Sequence, residues 1–377
     1  MSEWQEGTLT DIAEFVMGQS PEGETCNDAG AGVPLLNGPT EFGIRNPKAV
    51  QFTTDPKRFS KSSDILFCVR GSTTGKMNWS DQEYAIGRGL AALRHKNGAE
   101  YKYFLKAVID FNLELLLASA TGSTFPNVSK DQIANLEVSI PPLEEQKAIA
   151  SVLSSLDDKI DLLHRQNTTL QRMAETLFRQ WFVEDAQENW EKKPLSSIAS
   201  FLNGLACQKF PPTDAINKLP VLKIKELNSG ISENSDCASS NVKPEYIVEN
   251  GDVIFAWSAS LMVKVWDGEK CVLNQHLFKV TSLEFPKWFY LHWCKYHLDE
   301  FISISSSHAT TMGHIKRGDL DTAMVKVPKS EELALMTAQM SPLLEKQDIN
   351  SKQIKTLEKL RDSLLPKLMS GEVRVEA

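Results

Sequence analysis

Apolar positions along the chain follow two rhythms. Over residues 1–143 and again over 186–330, short β-rich runs alternate with turns rich in Gly, Pro, Asn and Ser. Asp64-Ile-Leu-Phe-Cys-Val and Asp252-Val-Ile-Phe-Ala-Trp are continuous apolar runs of strand length, which predicts buried strands. Tyr101–Ala118 and Pro286–Ile302 carry apolar residues at helical spacing. Over 144–185 and 331–377 the rhythm changes. Gly is absent from 144–185, and Pro342 is the only proline in 331–365. Ile149, Leu153, Leu156, Ile160, Leu163, Asn167, Leu170, Ala174, Leu177 and Trp181 step by four and three. Met336, Met340, Leu343, Gln347, Asn350, Ile354, Leu357, Arg361, Leu364 and Leu368 keep the same register. That is a coiled-coil seam on two long helices. A helix over the whole of 144–185 would be roughly 60 Å long. Pro342 should kink the second helix or mark a late start. If the pair is antiparallel about its centre, Asn167 falls opposite Asn350, a polar pair that would fix register at some cost in stability.

The two halves are copies. Trp4, Leu9, Ile12, Ala13, Phe15 and Gly18 recur as Trp190, Leu195, Ile198, Ala199, Phe201 and Gly204. Asp64-Ile-Leu-Phe recurs as Asp252-Val-Ile-Phe. Gly122-Ser-Thr-Phe-Pro-Asn-Val128 aligns with Ala309-Thr-Thr-Met-Gly-His-Ile315, and Glu144-Glu145 with Glu331-Glu332. Several matches in one order at a nearly constant offset make a repeat about half the chain long. The predicted architecture is α+β: two mixed α/β domains (1–143 and 186–330), separated by two long antiparallel helices (144–185, and 331–377 with the tail), with an internal pseudo-two-fold repeat. Such an object suits a two-fold target or two copies of a partner.

Composition narrows the picture. The 377 residues are 41% hydrophobic and 24% charged, an ordinary globular balance. Six cysteines without a CxxC pair predict a reduced protein of the cytoplasm rather than a disulfide scaffold. No apolar run reaches membrane-spanning length, and the polar start, Met1 to Gly7, is unlike a signal peptide.

Candidate chemistry is sparse. Gly71-Ser-Thr-Thr-Gly75-Lys76-Met77 has one residue too few between its glycines for a phosphate loop, and Met77 stands where Ser or Thr would hold magnesium. His292 and His297, five apart with Cys294 between them, point away from one another on a helix and do not suit a shared metal. The expectation is a non-enzyme with no cofactor or metal of its own.

The net charge of −8 divides as −4, −3, 0 and −1 over the four segments, unlike a free-standing basic DNA binder. Local clusters run the other way. Residues 51–100 hold eight basic side chains among Ser, Thr, Asn and Trp. Arg and Lys neutralise phosphates, while Arg, Asn and Gln read base edges with paired hydrogen bonds.

Longer motifs then become informative. Pro141-Pro-Leu-Glu-Glu-Gln-Lys-Ala-Ile149, Thr176-Leu-Phe-Arg-Gln-Trp-Phe-Val183 and Leu357-Glu-Lys-Leu-Arg-Asp-Ser-Leu-Leu-Pro-Lys-Leu-Met-Ser-Gly-Glu-Val373 resemble the helix motifs of the specificity subunit of type I DNA restriction–modification systems. Gly87-Arg-Gly89 and Asn274-Gln-His276 resemble matching turns of its target-recognition domains. The resemblance covers essentially the whole chain.

It implies that each domain reads one half of a split site in double-stranded DNA. The helices would set the spacer and dock two modification subunits that methylate adenine at N6. Up to two restriction subunits would add ATP-driven translocation and cleavage. S-adenosylmethionine, ATP and magnesium would then sit on the partners. Candidate DNA contacts are Arg70, Ser72, Thr73, Thr74, Lys76, Arg88, Ser123 and Thr124 in the first domain. In the second they are Ser258, Ser260, Lys264, Gln275, His276, Thr310, Thr311 and Lys316. Two other readings stay open: a scaffold bridging two protein partners without reading DNA, and the specificity module of a stand-alone methyltransferase–nuclease. Residues 330–340 depart from the Pro-rich, Gln-containing pattern of 141–146.

Overall fold

The computed structural model describes residues 4–120, 126–214, 216–307 and 313–375. The chain forms two compact units, residues 1–164 with 353–377 and residues 165–352. The units therefore divide both long helices between them.

In the first unit, Ala13–Met17, Leu90–His95, Ile65–Cys68 and Met77–Trp79 form an antiparallel sheet in that order. The run Ile65–Cys68 is apolar throughout because both of its faces are covered. Ile65 and Phe67 pack with Phe104 and Val108 on one side. Leu66 and Cys68 pack with Leu36, Tyr84 and Ile86 on the other. Those last residues belong to a second sheet, ordered Cys26–Asn27, Gln51–Thr53, Val33–Leu36, Tyr84–Ile86, Phe59–Ser60. Its Val33–Leu36 and Tyr84–Ile86 strands are parallel. Gln5–Thr8 pairs with Glu137–Ile140 at the base of the unit.

The second unit repeats this plan. Ser200–Asn203, Leu277–Thr281, Val253–Ala256 and Met262–Val265 form the antiparallel sheet. Val253 and Phe255 face one core, Ile254 and Ala256 the other. Lys218–Leu222 runs parallel to Cys271–Leu273, and Glu191–Pro194 pairs with Met324–Val327. Gly18 and Gly204 show why the repeat keeps a glycine there. A Cβ would lie 2.1 Å from the Gly87 carbonyl oxygen in one unit and 2.2 Å from that of Asn274 in the other.

The helices following the sheets are each broken once. Lys102–Phe111 ends at Asn112, whose side-chain Nδ2 donates to the Val108 carbonyl at 2.8 Å, and Leu113–Ala118 then restarts. The side chain competes with the backbone for that acceptor, which the apolar periodicity does not reveal. Lys287–Tyr296 and Leu298–Ser307 are divided likewise at His297.

The long helices span Leu143–Arg179 and Ser330–Met369. A π-helical turn, Gln180–Glu184, closes the first. The second starts at Ser330 and continues through Pro342, so of the kink or late start expected there the late start does not form. In the first unit Ile149, Ala150, Leu153, Leu368 and Met369 join the core of Leu9 and Phe104. Asp157 meets Arg361, and Ile160 and Leu163 pack with Ile354 and Leu357, so the helices run antiparallel there. In the second unit Ala174, Phe178, Phe182 and Met340 enter the core. Asn350 Nδ2 donates to Asn167 Oδ1 at 2.9 Å, and Leu156 and Leu170 are half-buried.

Each helix start is clasped by a tryptophan. Trp4 Nε1 donates to Glu145 Oε2 at 3.1 Å, and Trp190 Nε1 to Glu332 Oε2 at 2.9 Å. These pairs fall at matching repeat positions.

Candidate nucleic-acid interface

Three segments converge at one edge of each unit, held by backbone hydrogen bonds that repeat. In the first unit they are the loop 69–76, the turn 87–89 and the stretch 126–128. Val69 N donates to Gly89 O at 2.9 Å, Val128 N to Val69 O at 3.0 Å, and Gly87 N to Leu36 O at 2.8 Å. In the second unit Trp257 N donates to His276 O at 3.4 Å, Ile315 N to Trp257 O at 3.1 Å, and Asn274 N to Leu222 O at 3.2 Å. Bridges Arg70–Asn127 and Ser258–His314 complete the match. One backbone frame thus carries two different sets of side chains.

In the first unit the frame presents cations. Arg70, Ser72, Lys76 and Arg88 are exposed, and Thr73 and Thr74 half-buried. Gly71 and Gly75 take φ of 93° and 92°, left-handed values that favour glycine. The loop is further pinned by Thr74 Oγ1, 2.8 Å from Gly71 O and 2.9 Å from Pro126 O, which gives this hydroxyl a structural role. The Thr73 hydroxyl lies 3.7 Å from Cys68 Sγ. Among the described residues no hydrogen bond or ion pair holds the side chains of Arg70, Lys76 or Arg88. Three other arginines of the unit are engaged: Arg45 with Asp158, Arg94 with Asp64 at 2.7 Å, and Arg361 with Asp157. Burial pushes the Asp64 carboxyl up, against the Lys61 backbone N–H and Arg94, which pull it down.

The second frame is largely neutral. Ser258, expected to face DNA, is instead buried, 4% exposed, and its Oγ lies 3.1 Å from His276 Nδ1. It positions the imidazole. Lys264 is also placed differently: Nζ donates to Leu227 O at 3.0 Å and Asn228 O at 3.3 Å, stitching the helix Ile224–Ser229 to the sheet. Gln275 and His276 are half-buried, with Gln275 Nε2 3.3 Å from His276 Nε2. Ser260 is exposed, beside Ala259 at φ 56°. Lys316 is exposed at the start of Arg317–Thr322, its backbone N donating to Asp319 Oδ2 at 2.7 Å. Ser123, Thr124, Thr310 and Thr311 lie outside the described residues.

Sequence reasoning did not single out Trp257. Its ring centroid lies 6.0 Å from that of His276 and 6.3 Å from that of His314, and Nε1 donates to Asn203 Oδ1 at 3.1 Å. The repeat offset held the signal, since Trp257 falls on Val69, a position already inside the loop frame. His292, by contrast, is a packing residue: 4% exposed, stacked on Phe178, with Nδ1 2.8 Å from the Trp288 carbonyl. Among the described residues no cluster of His, Cys, Asp and Glu is placed to hold a metal ion, and no helix is long and apolar enough to cross a membrane.

The chain thus consists of two repeat-related α+β units, each with its own polar edge. Comparison with known proteins identifies the kind. The family model described as the type I restriction modification DNA specificity domain matches residues 1–172 and again 187–359. The chain belongs to this family and is a type I restriction–modification specificity subunit. It is 26% identical to the type I restriction enzyme MjaIX specificity subunit of Methanocaldococcus jannaschii, over 99% of this chain and 94% of that protein. It is 20% identical to the HindI specificity subunit of Haemophilus influenzae, over 99% and 100%. Its fold is similar to the crystal structure of the type I restriction–modification S subunit from M. genitalium, with TM-score 0.58 and 17% identity, over 97% of this chain and 96% of that one.

Proposed function

We propose that each unit reads one half of a bipartite site in double-stranded DNA. The paired helices set the spacer between the halves and dock two modification subunits, which methylate adenine at N6. Up to two restriction subunits complete the assembly. This chain is non-catalytic in that scheme, acts in the prokaryotic cytoplasm, and leaves S-adenosylmethionine, ATP and magnesium to its partners. The observation that carries the reading is the duplicated loop frame with unlike side chains: Arg70, Lys76 and Arg88 on one, Gln275, His276 and Lys316 on the other. A common frame with different donors and acceptors suits two half-sites of different sequence. The helix Leu143–Arg179 has 37 residues, roughly 55 Å, which exceeds the ~34 Å of one turn of duplex DNA.

The test is a methylome. The full chain is co-expressed with its modification subunit, and methylated adenines are mapped by single-molecule sequencing. A split motif with a fixed gap is expected, and replacing 186–330 should change one half only. A purified complex of the two subunits that methylates nothing, or an activity that survives Arg70→Ala, Arg88→Ala and Lys316→Ala together, would overturn the reading in favour of a protein-bridging scaffold.

A further inference from the structure

Arg88 and Gln275 occupy the same point of the repeated frame. Each is the middle residue of a three-residue turn that enters a central strand of the antiparallel sheet, Leu90–His95 or Leu277–Thr281. Each turn closes the same way: Leu90 N donates to Gly87 O at 3.0 Å, and Leu277 N to Asn274 O at 3.0 Å. Each leans on the same neighbour: Gln19 N donates to Ile86 O, and Leu205 N to Leu273 O, both at 2.9 Å. The backbones therefore offer one side chain at one equivalent place, and only the chemistry of that side chain differs.

That difference has a base-reading meaning. A guanidinium presents two parallel N–H donors, which match O6 and N7 of guanine in the major groove. A carboxamide presents a donor beside an acceptor, which matches N6–H and N7 of adenine. Arg88 is exposed, and nothing among the described residues holds its side chain. Gln275 is half-buried beside His276, whose ring is fixed in turn by Ser258. An exposed cation and a braced amide are both workable readers, because the amide must be oriented to tell a donor from an acceptor.

We infer that Arg88 and Gln275 are the equivalent specificity-determining residues of the two units, Arg88 selecting guanine in one half-site and Gln275 selecting adenine at the corresponding position of the other. The inference rests on the half-site reading proposed above and adds to it the residue and the base. It also separates these side chains from Arg70 and Lys76, whose cations suit phosphate oxygens and carry no sequence preference.

The experiment compares the methylomes of cells carrying the modification subunit with the wild-type chain, Arg88→Gln or Gln275→Arg. In Arg88→Gln one position of one half changes from guanine to adenine, or loses its preference. Methylation of the original site falls on the order of 10- to 100-fold, while the gap and the other half stay the same. Gln275→Arg changes one position of the other half, from adenine to guanine or to no preference. Reduced methylation of an unaltered motif would make Arg88 a phosphate contact and overturn the inference, as would a change in both halves. If a variant methylates nothing, its purified complex is competed against duplexes carrying each of the four bases at every position of that half. A surviving guanine preference in Arg88→Gln overturns the inference, and its loss supports it. A wild-type complex without any split motif would instead sink the half-site reading itself.

Discussion

His292 shows how a single buried side chain can set an acid limit on this fold. Its ring lies between Phe178 and the helix Lys287–Tyr296, and burial draws its pKa down from 6.5 to about 4. Its contact with the Trp288 carbonyl and the nearby Glu175 oppose that shift, and Lys295 adds to it. The unfolded chain takes up a proton near pH 6.5 that the folded chain resists down to about 4. The neutral ring's contribution is therefore complete above 6.5 and is lost as the pH falls from 6.5 towards 4. At about pH 5 the loss amounts to about 2 kcal/mol. His292→Phe keeps the stacking surface and removes the titration. Thermal unfolding at about pH 7 and about pH 5 should show a smaller acid-induced drop in Tm for the variant than for wild type. Equal drops would mean that the histidine takes up its proton in the folded state as readily as in the unfolded one.

Among the elements, the seam of the long helices is where a polar pair was foreseen, and its cost can be measured. Asn350 is fully buried, and among the described residues its Oδ1 has no partner while its Nδ2 donates to Asn167. Gln347 Nε2 donates to the Asn167 carbonyl at 3.1 Å, and Asn167 Nδ2 to Ser351 Oγ at 3.2 Å. Asn350→Leu alone strands the Asn167 acceptor and should cost about 1–3 kcal/mol in denaturant unfolding. Asn167→Leu with Asn350→Leu should recover that loss or exceed wild-type stability, at the expense of a unique register. A double variant as weak as the sum of the singles would deny the pair its role. This seam was readable because heptad spacing depends on sequence alone. So were the buried strands Ile65–Cys68 and Val253–Ala256, whose runs are apolar because both faces are covered. The helix breaks at Asn112 and His297 were not readable, since a side chain takes the decisive hydrogen bond at Asn112 and His297 reaches the distant Met324 carbonyl. Nor were the burial of Ser258 and the anchoring of Lys264, because His276 comes beside Ser258 only through the pairing of Val253–Ala256 with Leu277–Thr281, and Leu227 beside Lys264 only through the packing of the helix Ile224–Ser229. The repeat located the candidate edge, but which of its polar residues face outward was decided by tertiary contacts.

At the scale of the whole molecule, the matching carboxylates Glu145 and Glu332 are held by different segments of the chain. Glu332 receives Trp190 at 2.9 Å and Gln187 Nε2 at 3.1 Å, both supplied by the linker that follows the first long helix. The equivalent Glu145 receives Trp4 and, from the far end of the sequence, Arg374, whose Nη2 donates to Oε2 at 2.6 Å while Nε engages Oε1. The Arg374 guanidinium also lies over the Trp4 ring, 5.5 Å from its centroid, and Val375 packs against the core beside Leu364 and Leu365. The tail thus does for the first unit what an interior linker does for the second, closing the start of the repeat onto the helix that leaves it. Ending the chain after Ser370 removes a bidentate, partly buried contact to a carboxylate that is 10% exposed, a loss of about 1–3 kcal/mol. Its effect should be confined to one unit. Hydrogen exchange should quicken at Leu9–Ile12 and around Ile149–Leu153, while Leu195–Ile198 and the stretch around Met340 keep their protection. A uniform loss of protection across both units would mean that they unfold as one, and no change would make the tail ornamental to the fold.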